Sequence, residues 1–309
     1  MHFSVSLPTD RLDRAPEFVT QTAVAEIARA AEDAGFEACF VTDHPFPPHR
    51  WLYGGGHHAL DPFVALSFAA AATSTLRVQT HILVLPYRNP FVTAKAVLSL
   101  DVLSGGRVTL GVAAGYLKGE FAALGADFDG RQETSDEFIR AMKSAWAGDD
   151  VRFEGRGFKA SGNSMGFRPM QQPHPPIWVG GNSRAAIRRA VELGDGWVPF
   201  PNPAAMSQYT RTPPLETLDD LKARIALANE FAAAAGRTQP IDICYSLMSS
   251  AAPEMDPGAA LTRIDTLANL GVTWLTVGFR AETRRDYISA MQRFARDVSA
   301  KAKRASVAR

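Results

Sequence analysis

The sequence has 309 residues, 46% of them apolar and 21% charged, so it can bury a large core as one large α/β barrel or as two ordinary domains. Its 33 lysines and arginines nearly balance its 32 aspartates and glutamates, so no net field attracts nucleic acid or an anionic membrane. The two cysteines form no disulfide framework, and no signal-peptide pattern or bilayer-length apolar block is present, which together predict a cytoplasmic protein.

Short β-rich runs alternate with longer amphipathic runs along the chain. The pattern predicts strands near Phe3–Leu7, Ala38–Thr42, Leu76–Leu83, Val108–Val112, Ile177–Val179, Trp197–Pro199, Ile241–Leu247 and Thr273–Gly278. It predicts helices near Thr22–Ala34, Pro62–Thr73, Phe91–Leu103, Glu133–Ala147, Arg184–Leu193, Leu218–Ala235, Ala259–Leu270 and Arg284–Val298. Gly35, Gly194 and Gly271 each follow a predicted helix and precede an apolar run, where a left-handed helix cap is favoured.

Eight strand–helix pairs on one chain of this length predict a (β/α)8 TIM barrel. A doubly wound sheet is the alternative, but its dinucleotide fingerprint is missing after the first strand, where Leu7-Pro8-Thr9-Asp10 stands. We expect one domain over residues 1–309, with insertions near 45–59, 148–176 and 202–214. Long loops in compact domains are often lids or binding loops.

Asp43 and His44 end the second predicted strand, directly before a proline-rich stretch. Strand C-terminal ends face the active site of a (β/α)8 barrel, so both side chains are candidates for the barrel mouth. An imidazole exchanges protons near neutral pH, and an adjacent acid can orient it. A loop histidine beside a capping aspartate is the structural alternative, and position alone does not decide between them.

The turn Gly180-Gly181-Asn182-Ser183 joins a predicted strand to the helix that begins at Arg184. Free N–H groups at a helix start, with glycines that admit a close ligand, favour an anion site. An ordinary strand–turn–helix joint with a helix cap is the structural alternative.

Two further strand ends are ambiguous, and two kinds of site are not expected. His81 lies inside a strand-like run, where a histidine is usually a core residue. The strand before Gly115 and Tyr116 ends in small residues, which either leave room for a flat ligand or simply fill the barrel interior. The sequence has no spacing typical of a metal site and no Gly-x-Ser-x-Gly nucleophile elbow.

Five blocks in sequence order resemble the luciferase-like monooxygenase superfamily, and specifically its branch that uses the deazaflavin coenzyme F420. The blocks are Val41–His44, Asp61–Val78, Leu85–Pro90, Leu100–Gly115 and Pro176–Trp197. The resemblance implies a (β/α)8 barrel with insertions, a flat tricyclic cofactor over the strand ends, and a homodimer.

The resemblance also implies roles for individual residues. His44 would contact the carbonyl side of the deazaflavin ring, with Asp43 beside it. A non-prolyl cis peptide bond at Thr80–His81 would lie behind the same ring. Several relatives that oxidise sugar phosphates have an acidic residue at Tyr116, which argues against that substrate class here. The full cofactor-binding set is His44, Thr80, His81, Gly115, Tyr116, Gly180, Gly181, Asn182 and Ser183, the last four around the cofactor phosphate.

The implied function is hydride transfer between F420 and a small organic substrate. His44 would be the proton donor or acceptor, tuned by Asp43, and an apolar wall would cover the ring, formed by Phe46, Trp51, Tyr53 and Tyr116. The alternatives are an FMN-dependent monooxygenase on the same scaffold and a protein that binds flavin or deazaflavin without catalysis.

Overall fold

The computed structural model describes residues 1–249 and 255–307, so residues 250–254 and 308–309 of the expected domain lie outside the described residues. In the described part, eight parallel strands close a barrel in the order β1-β10-β9-β8-β7-β4-β3-β2, and β5 pairs with β6 in a separate antiparallel hairpin. The predicted (β/α)8 barrel is therefore confirmed. The strands are β1 His2–Ser6, β2 Ala38–Val41, β3 Arg77–Val84, β4 Val108–Ala113, β5 Val151–Gly155, β6 Phe158–Asn163, β7 Ile177–Gly180, β8 Gly196–Val198, β9 Asp242–Met248 and β10 Trp274–Val277.

The long helices follow the predicted amphipathic stretches, and shorter ones lie in the connecting loops. The helices are α1 Ala15–Phe18, α2 Gln21–Asp33, α3 His49–Tyr53, α4 Pro62–Ala72, α5 Pro90–Ser104, α6 Lys118–Ala123, α7 Arg131–Ala147, α8 Arg184–Leu193, α9 Ser207–Thr210, α10 Leu218–Ala234, α11 Pro257–Asn269, α12 Arg284–Phe294 and α13 Ala300–Val307. None of the helices in the described ranges is long and apolar enough to cross a membrane.

Helix α2 illustrates why these segments are helical. Thr20 caps its first turn by accepting a hydrogen bond from the Ala23 amide, and its buried positions recur at helical spacing. That face, formed by Ala23, Val24, Ile27, Ala28 and Ala31, packs into the main core between the barrel and its helices.

The barrel interior has a smaller core of its own. Along β7, Ile177 and Val179 join the outer core, whereas Trp178 joins an inner cluster, as the alternation of strand side chains requires. The ring of Trp178 meets Trp274 edge-on at 5.2 Å, and the cluster is completed by Ala38, Val198 and Cys244. Gly180 is the next inward position on β7, and the Ile82 side chain packs against it.

The three expected insertions contain short elements. Residues 45–59 include α3, residues 148–176 include the β5–β6 hairpin, and residues 202–214 include α9 and the start of a bridge between Asn202 and Leu215. The short helices α1, α3, α6 and α9 have too few residues to show a helical period in the sequence.

Candidate active site

One cavity of about 550 Å³ lies at the C-terminal ends of the barrel strands. It is lined by residues from the ends of all eight barrel strands or the loops after them, among them Ser6, Thr42, Ile82, Ala113, Gly180, Val198, Met248 and Thr276. His44 and Gly181, which are far apart in sequence, both line it. The volume is in the range typical of small-molecule and cofactor sites.

Most of the predicted site residues line this cavity. They are Asp43, His44, His81, Gly115, Tyr116, Gly180, Gly181 and Ser183. Thr80 and Asn182 are not among its lining residues. Both are buried, and the Thr80 hydroxyl donates a hydrogen bond to the Gly111 carbonyl at 2.7 Å.

His44 is held by a buried carboxylate on α6. Its Nδ1 lies 3.2 Å from Oε2 of Glu120, which is fully buried. Glu120 also accepts hydrogen bonds from the Tyr87 hydroxyl and from the Phe46 amide, both at 2.9 Å. Because a carboxylate accepts rather than donates, this contact places the proton on Nδ1 of His44 and leaves Nε2 available for a ligand.

Asp43 has hydrogen-bond partners other than His44. Its carboxylate accepts hydrogen bonds from the Val84 amide at 3.0 Å and from Arg88 at 2.9 Å, and no hydrogen bond joins it to His44 in the described structure. Burial raises the pKa of Asp43, and the charge of Arg88 opposes this effect. Successive side chains of extended backbone diverge, so Asp43 ties β2 to the end of β3 while His44 contacts α6.

Glu120 is a residue of the candidate site that the sequence reasoning missed. Leu117, Glu120 and Phe121 are all buried, but α6 has too few residues for their spacing to stand out as a helical period in the sequence. A carboxylate on the buried face of a short helix requires polar partners, and here these are His44, Tyr87 and the Phe46 amide.

Two tyrosines near Glu120 stay protonated at neutral pH. Burial, reinforced by the charge of Glu120, raises the pKa of Tyr116 to about 12 and raises the pKa of Tyr87 above its ordinary value. Tyr116 lines the cavity, and its ring lies 6.3 Å from the His44 ring. Its phenol can therefore donate a hydrogen bond to a bound molecule.

The loop before α4 brings a second histidine against the first. The His44 ring lies 4.5 Å from Trp51 and 4.9 Å edge-on from His57. His57 and Asp10 both line the cavity, and burial lowers the pKa of His57 and raises the pKa of Asp10. Neither residue was predicted as a site residue.

The predicted aromatic wall is only partly formed. Trp51 and Tyr116 lie next to His44, whereas Phe46 and Tyr53 are 69% and 80% exposed. The Tyr53 ring instead lies 4.2 Å from the His49 ring, tilted by 40°. The expectation that Phe46 and Tyr53 cover the ring is therefore wrong: both lie on the outer face of the loop.

The glycine turn forms the opposite end of the cavity. A Cβ added at Gly180 would lie 2.7 Å from the Ile82 side chain, and Gly181 has φ +116, a conformation that other residues rarely adopt. Ser183 caps α8 by accepting a hydrogen bond from the Ala186 amide. The remaining amides of the first turn have no partner within the helix, which suits an anion at this position.

Asn182 supports the turn rather than facing the cavity. Its side-chain amide donates to the carbonyls of Phe200 and Pro213, and its side-chain oxygen accepts from the Phe200 amide at 2.8 Å. Its backbone amide donates to the Thr212 hydroxyl at 2.9 Å. These bonds leave no part of the Asn182 side chain for a phosphate and instead join the turn to the loop that contains Thr212.

The non-prolyl cis peptide bond lies one residue later than expected, between His81 and Ile82. Thr80 still pairs in register with Val41 on β2 and Leu110 on β4, and the register shift begins after it. The expected Thr80–His81 position is therefore wrong, because Thr80 belongs to the regular ladder and the bulge starts at His81.

His81 lines the cavity from this bulge, and its ring lies 4.7 Å from Phe40. Its Nδ1 is buried and has no hydrogen-bond partner within the described ranges. Burial lowers the pKa of His81 to about 4 from an ordinary value of 6.5. The imidazole is therefore neutral at pH 7.

This pKa predicts how stability depends on pH. The unfolded chain binds a proton at His81 near pH 6.5, whereas the folded chain resists it down to about pH 4. The stabilisation that comes from the neutral His81 is fully present above pH 6.5 and is lost as the pH falls to about 4. The free energy of unfolding decreases by about 3 kcal/mol over this range. Denaturant unfolding between pH 7 and 4 should show this loss for the wild type relative to His81→Gln. Parallel pH profiles for the two proteins would contradict it.

The residues around the cavity fit a planar cofactor with a phosphate. Gly180 and Gly181 present backbone without side chains, the first turn of α8 offers amides, and His44 and Tyr116 offer polar atoms at the other end. No group of three or more His, Cys, Asp or Glu residues in the described parts of the chain is arranged to hold a metal ion.

Comparison with known proteins agrees with this architecture. The family model described as luciferase-like monooxygenase matches residues 1–308. The FMNH2-dependent dimethylsulfone monooxygenase of Pseudomonas putida is 36% identical over 174 residues, which are 55% of this chain and 46% of that enzyme. The F420-dependent glucose-6-phosphate dehydrogenase of Gordonia bronchialis is 36% identical over 182 residues, which are 57% of this chain and 52% of that enzyme.

The matched region thus spans about half the length of these two curated relatives. Over nearly the whole chain, the fold is similar to that of the monooxygenase RslO1 from Streptomyces bottropensis, with a TM-score of 0.79 and 20% identity, covering 97% of this chain and 99% of that one. The family model, matched along almost the entire sequence, establishes that this chain belongs to the luciferase-like monooxygenase family.

Proposed function

We propose that the protein is an F420-dependent oxidoreductase that transfers hydride between the deazaflavin ring and a small organic substrate. The observation that carries the proposal is the placement of a carboxylate-oriented imidazole, His44 with Glu120, and a glycine turn at a helix start around one cavity. A planar ring with a phosphate-bearing side chain can reach both.

Deazaflavin F420 supplies or accepts a hydride when it is bound. The substrate then needs a proton to be removed or added, and Nε2 of His44 is free to exchange it because Nδ1 is held by Glu120. Tyr116 can donate a hydrogen bond to the substrate atom that gains or loses this proton, since its pKa of about 12 keeps the phenol protonated. The remaining contribution of the chain is to position the reactants.

The relative from Gordonia bronchialis supports the choice of cofactor, since its name specifies F420. Its sugar-phosphate substrate is not part of the proposal. Tyr116 stands where several sugar-phosphate-oxidising relatives have an acid, and a phenol that stays neutral cannot replace a carboxylate as a base.

An FMN-dependent monooxygenase is the second candidate. It is favoured by the relative from Pseudomonas putida, whose name specifies FMNH2 and whose identity to this chain is the same 36%. The glycine turn suits the phosphate of either cofactor, so a binding measurement has to separate them.

The test is a titration of the purified protein with F420 and with FMN, followed by absorbance and fluorescence changes of each cofactor. We expect F420 to bind at least ~10-fold more tightly, a difference of about 1.4 kcal/mol in binding free energy. Tight FMN binding without F420 binding would reverse the assignment.

A substrate panel under anaerobic conditions completes the test. Alcohols, carbonyl compounds and activated alkenes should be screened with F420 in both redox states, with the absorbance of the deazaflavin as the readout. Hydride transfer without oxygen supports the proposal. F420 binding with no transfer to any member would favour a non-catalytic binding protein.

A further inference from the structure

A proton taken up by His44 has no second acceptor behind its buried partner. His44 is only 8% exposed, and Glu120, which holds its Nδ1, is fully buried. The other two contacts of Glu120 are donors, the Phe46 amide and the Tyr87 hydroxyl. Burial and the charge of Glu120 raise the pKa of Tyr87, so its phenol keeps its proton. A route from His44 to solvent therefore has to start on the cavity side of its ring.

Three rings lie near His44, and they differ in their ability to carry a proton. Trp51, at 4.5 Å, has an indole N–H that donates but cannot accept. Tyr116, at 6.3 Å, has a pKa raised to about 12 and stays protonated at neutral pH. His57 meets the His44 ring edge-on at 4.9 Å. Of the three, only His57 has a side chain that both takes up and gives up protons near neutral pH.

The tautomer of His57 leaves one ring nitrogen free. Its Nδ1 lies 3.1 Å from the carbonyl oxygen of His58, a group that only accepts, so the proton is on Nδ1 and Nε2 is the acceptor. The His57 ring lines the same cavity as His44. Burial lowers the pKa of His57, so the ring is neutral at pH 7 and does not retain a proton that it receives.

Asp10 provides a carboxylate near His57 on the cavity wall. The charge of Asp10 raises the pKa of His57, and the charge of His57 lowers that of Asp10 against a larger rise caused by burial. No ion pair joins the two side chains within the described residues. The adjacent Arg11 is bonded to Asp13 and to the Ala281 carbonyl instead. The Asp10 carboxylate is therefore free to exchange a proton with the cavity.

We propose that His57 and Asp10 form a proton relay between His44 and solvent. This inference rests on the proposed function and deepens it. When a substrate hydroxyl is oxidised, its carbon loses a hydride to the cofactor and its oxygen loses a proton to Nε2 of His44.

No hydrogen bond joins the two imidazole rings directly in the described ranges, so one water carries the proton from His44 to Nε2 of His57. Asp10 then accepts it and passes it to solvent. Each oxidation releases one proton and returns all three side chains to their starting states. A reduction uses the same path in reverse.

The test follows protons in the purified protein without cofactor or substrate. Nitrogen-15 relaxation dispersion of the imidazole rings, across a pH titration in dilute buffer, measures how fast His44 gains and loses a proton. We expect this rate to fall ~10-fold in His57→Gln, less than the 10²–10⁴ contributed by a positioned acid or base, because water still carries some protons. Free imidazole, which is small enough for a cavity of about 550 Å³, should restore the rate. A purely structural defect would not be restored.

His58→Gln is the matched control for this substitution. It removes the neighbouring imidazole, which is exposed and does not line this cavity, but keeps the backbone carbonyl that accepts from His57. The proton exchange rate of His44 should stay at the wild-type value in this variant.

Asp10→Asn tests the outer end of the relay. The charges that act on His57 are those of Asp10, which raises its pKa, and of His44 and His58, which lower it. Loss of the Asp10 charge should therefore lower the pKa of His57, read from the nitrogen-15 shifts in the same titration, and should slow proton exchange at His44. His58→Gln should not lower the pKa of His57.

Three results overturn the inference. Wild-type proton exchange at His44 in His57→Gln would show that the proton leaves by another route. Slow exchange that imidazole does not restore would assign His57 to packing against Trp51. An unchanged pKa of His57 in Asp10→Asn would remove Asp10 from the path. Because these measurements contain no cofactor, failure of the proposed function is separately visible, as wild-type protein that binds FMN and not F420.

Discussion

Replacement of His44 by alanine is expected to lower turnover by roughly 10²–10⁴-fold while the cofactor still binds. The reason is that Nε2 of His44 is the free nitrogen of an imidazole whose Nδ1 is fixed on Glu120, beside the cavity. Steady-state turnover and a cofactor titration on the same preparation measure the two quantities separately.

His49→Ala is the matched control for this substitution. His49 lies on the same loop, is exposed, and packs against Tyr53 outside the cavity. It should leave turnover unchanged. His44→Gln adds a second variant that keeps a polar side chain next to Glu120 if the alanine disturbs the packing of Trp51. Wild-type turnover in His44→Ala, with cofactor bound, would remove His44 from the reaction.

Replacement of Glu120 by glutamine is expected to lower kcat by roughly 10²–10³-fold with a smaller change in KM. Glutamine preserves the shape of the fully buried side chain but can direct an N–H group at Nδ1 of His44. His44 would then take the opposite tautomer, with its proton on Nε2, where it can no longer accept one from a substrate. Nitrogen-15 chemical shifts of the His44 ring report the tautomer directly.

Tyr87→Phe separates the effect of the tautomer from that of general packing. It removes one hydrogen bond to Glu120 but leaves the carboxylate and its contact with His44 in place. We expect the Nδ1-protonated tautomer to persist and turnover to fall far less than in Glu120→Gln. If Glu120→Gln retained both the tautomer and wild-type turnover, Glu120 would have no positioning role.

The barrel could be predicted because its information is local. Each long helix repeats buried residues at helical spacing, and the glycines after helices mark where the next strand begins, as for Gly35 before β2. The convergence of His44 and Gly181 then follows from the architecture, since all strand ends of a closed parallel barrel meet at one face.

The partners of the site residues could not be predicted in this way. Glu120 is 76 residues from His44 and lies on a helix too short to show a period, so only the folded chain brings them together. Asp43, adjacent to His44 in the sequence, was the natural candidate but faces Arg88. Sequence proximity was therefore a poor guide to which acid orients the imidazole.

The same limit applies to the bulge in β3 and to the glycine turn. Strand pairing with Val41 and Leu110 decides that the irregular backbone starts after Thr80, and this pairing is a property of three strands together. Asn182 looked like a phosphate ligand because of its place in the turn. Its side-chain amide is instead bound by two carbonyls of the loop between β8 and α10, which are 18 and 31 residues further along the chain.

The inner cluster of Trp178 and Trp274 has a consequence for the order of events. This cluster closes the barrel beneath the cavity. Two ligands that occupied the cavity together would therefore both enter and leave at the C-terminal ends of the strands. The deeper ligand must then arrive first and depart last. If a cofactor occupies the deeper position, its release would require that the second ligand leave first.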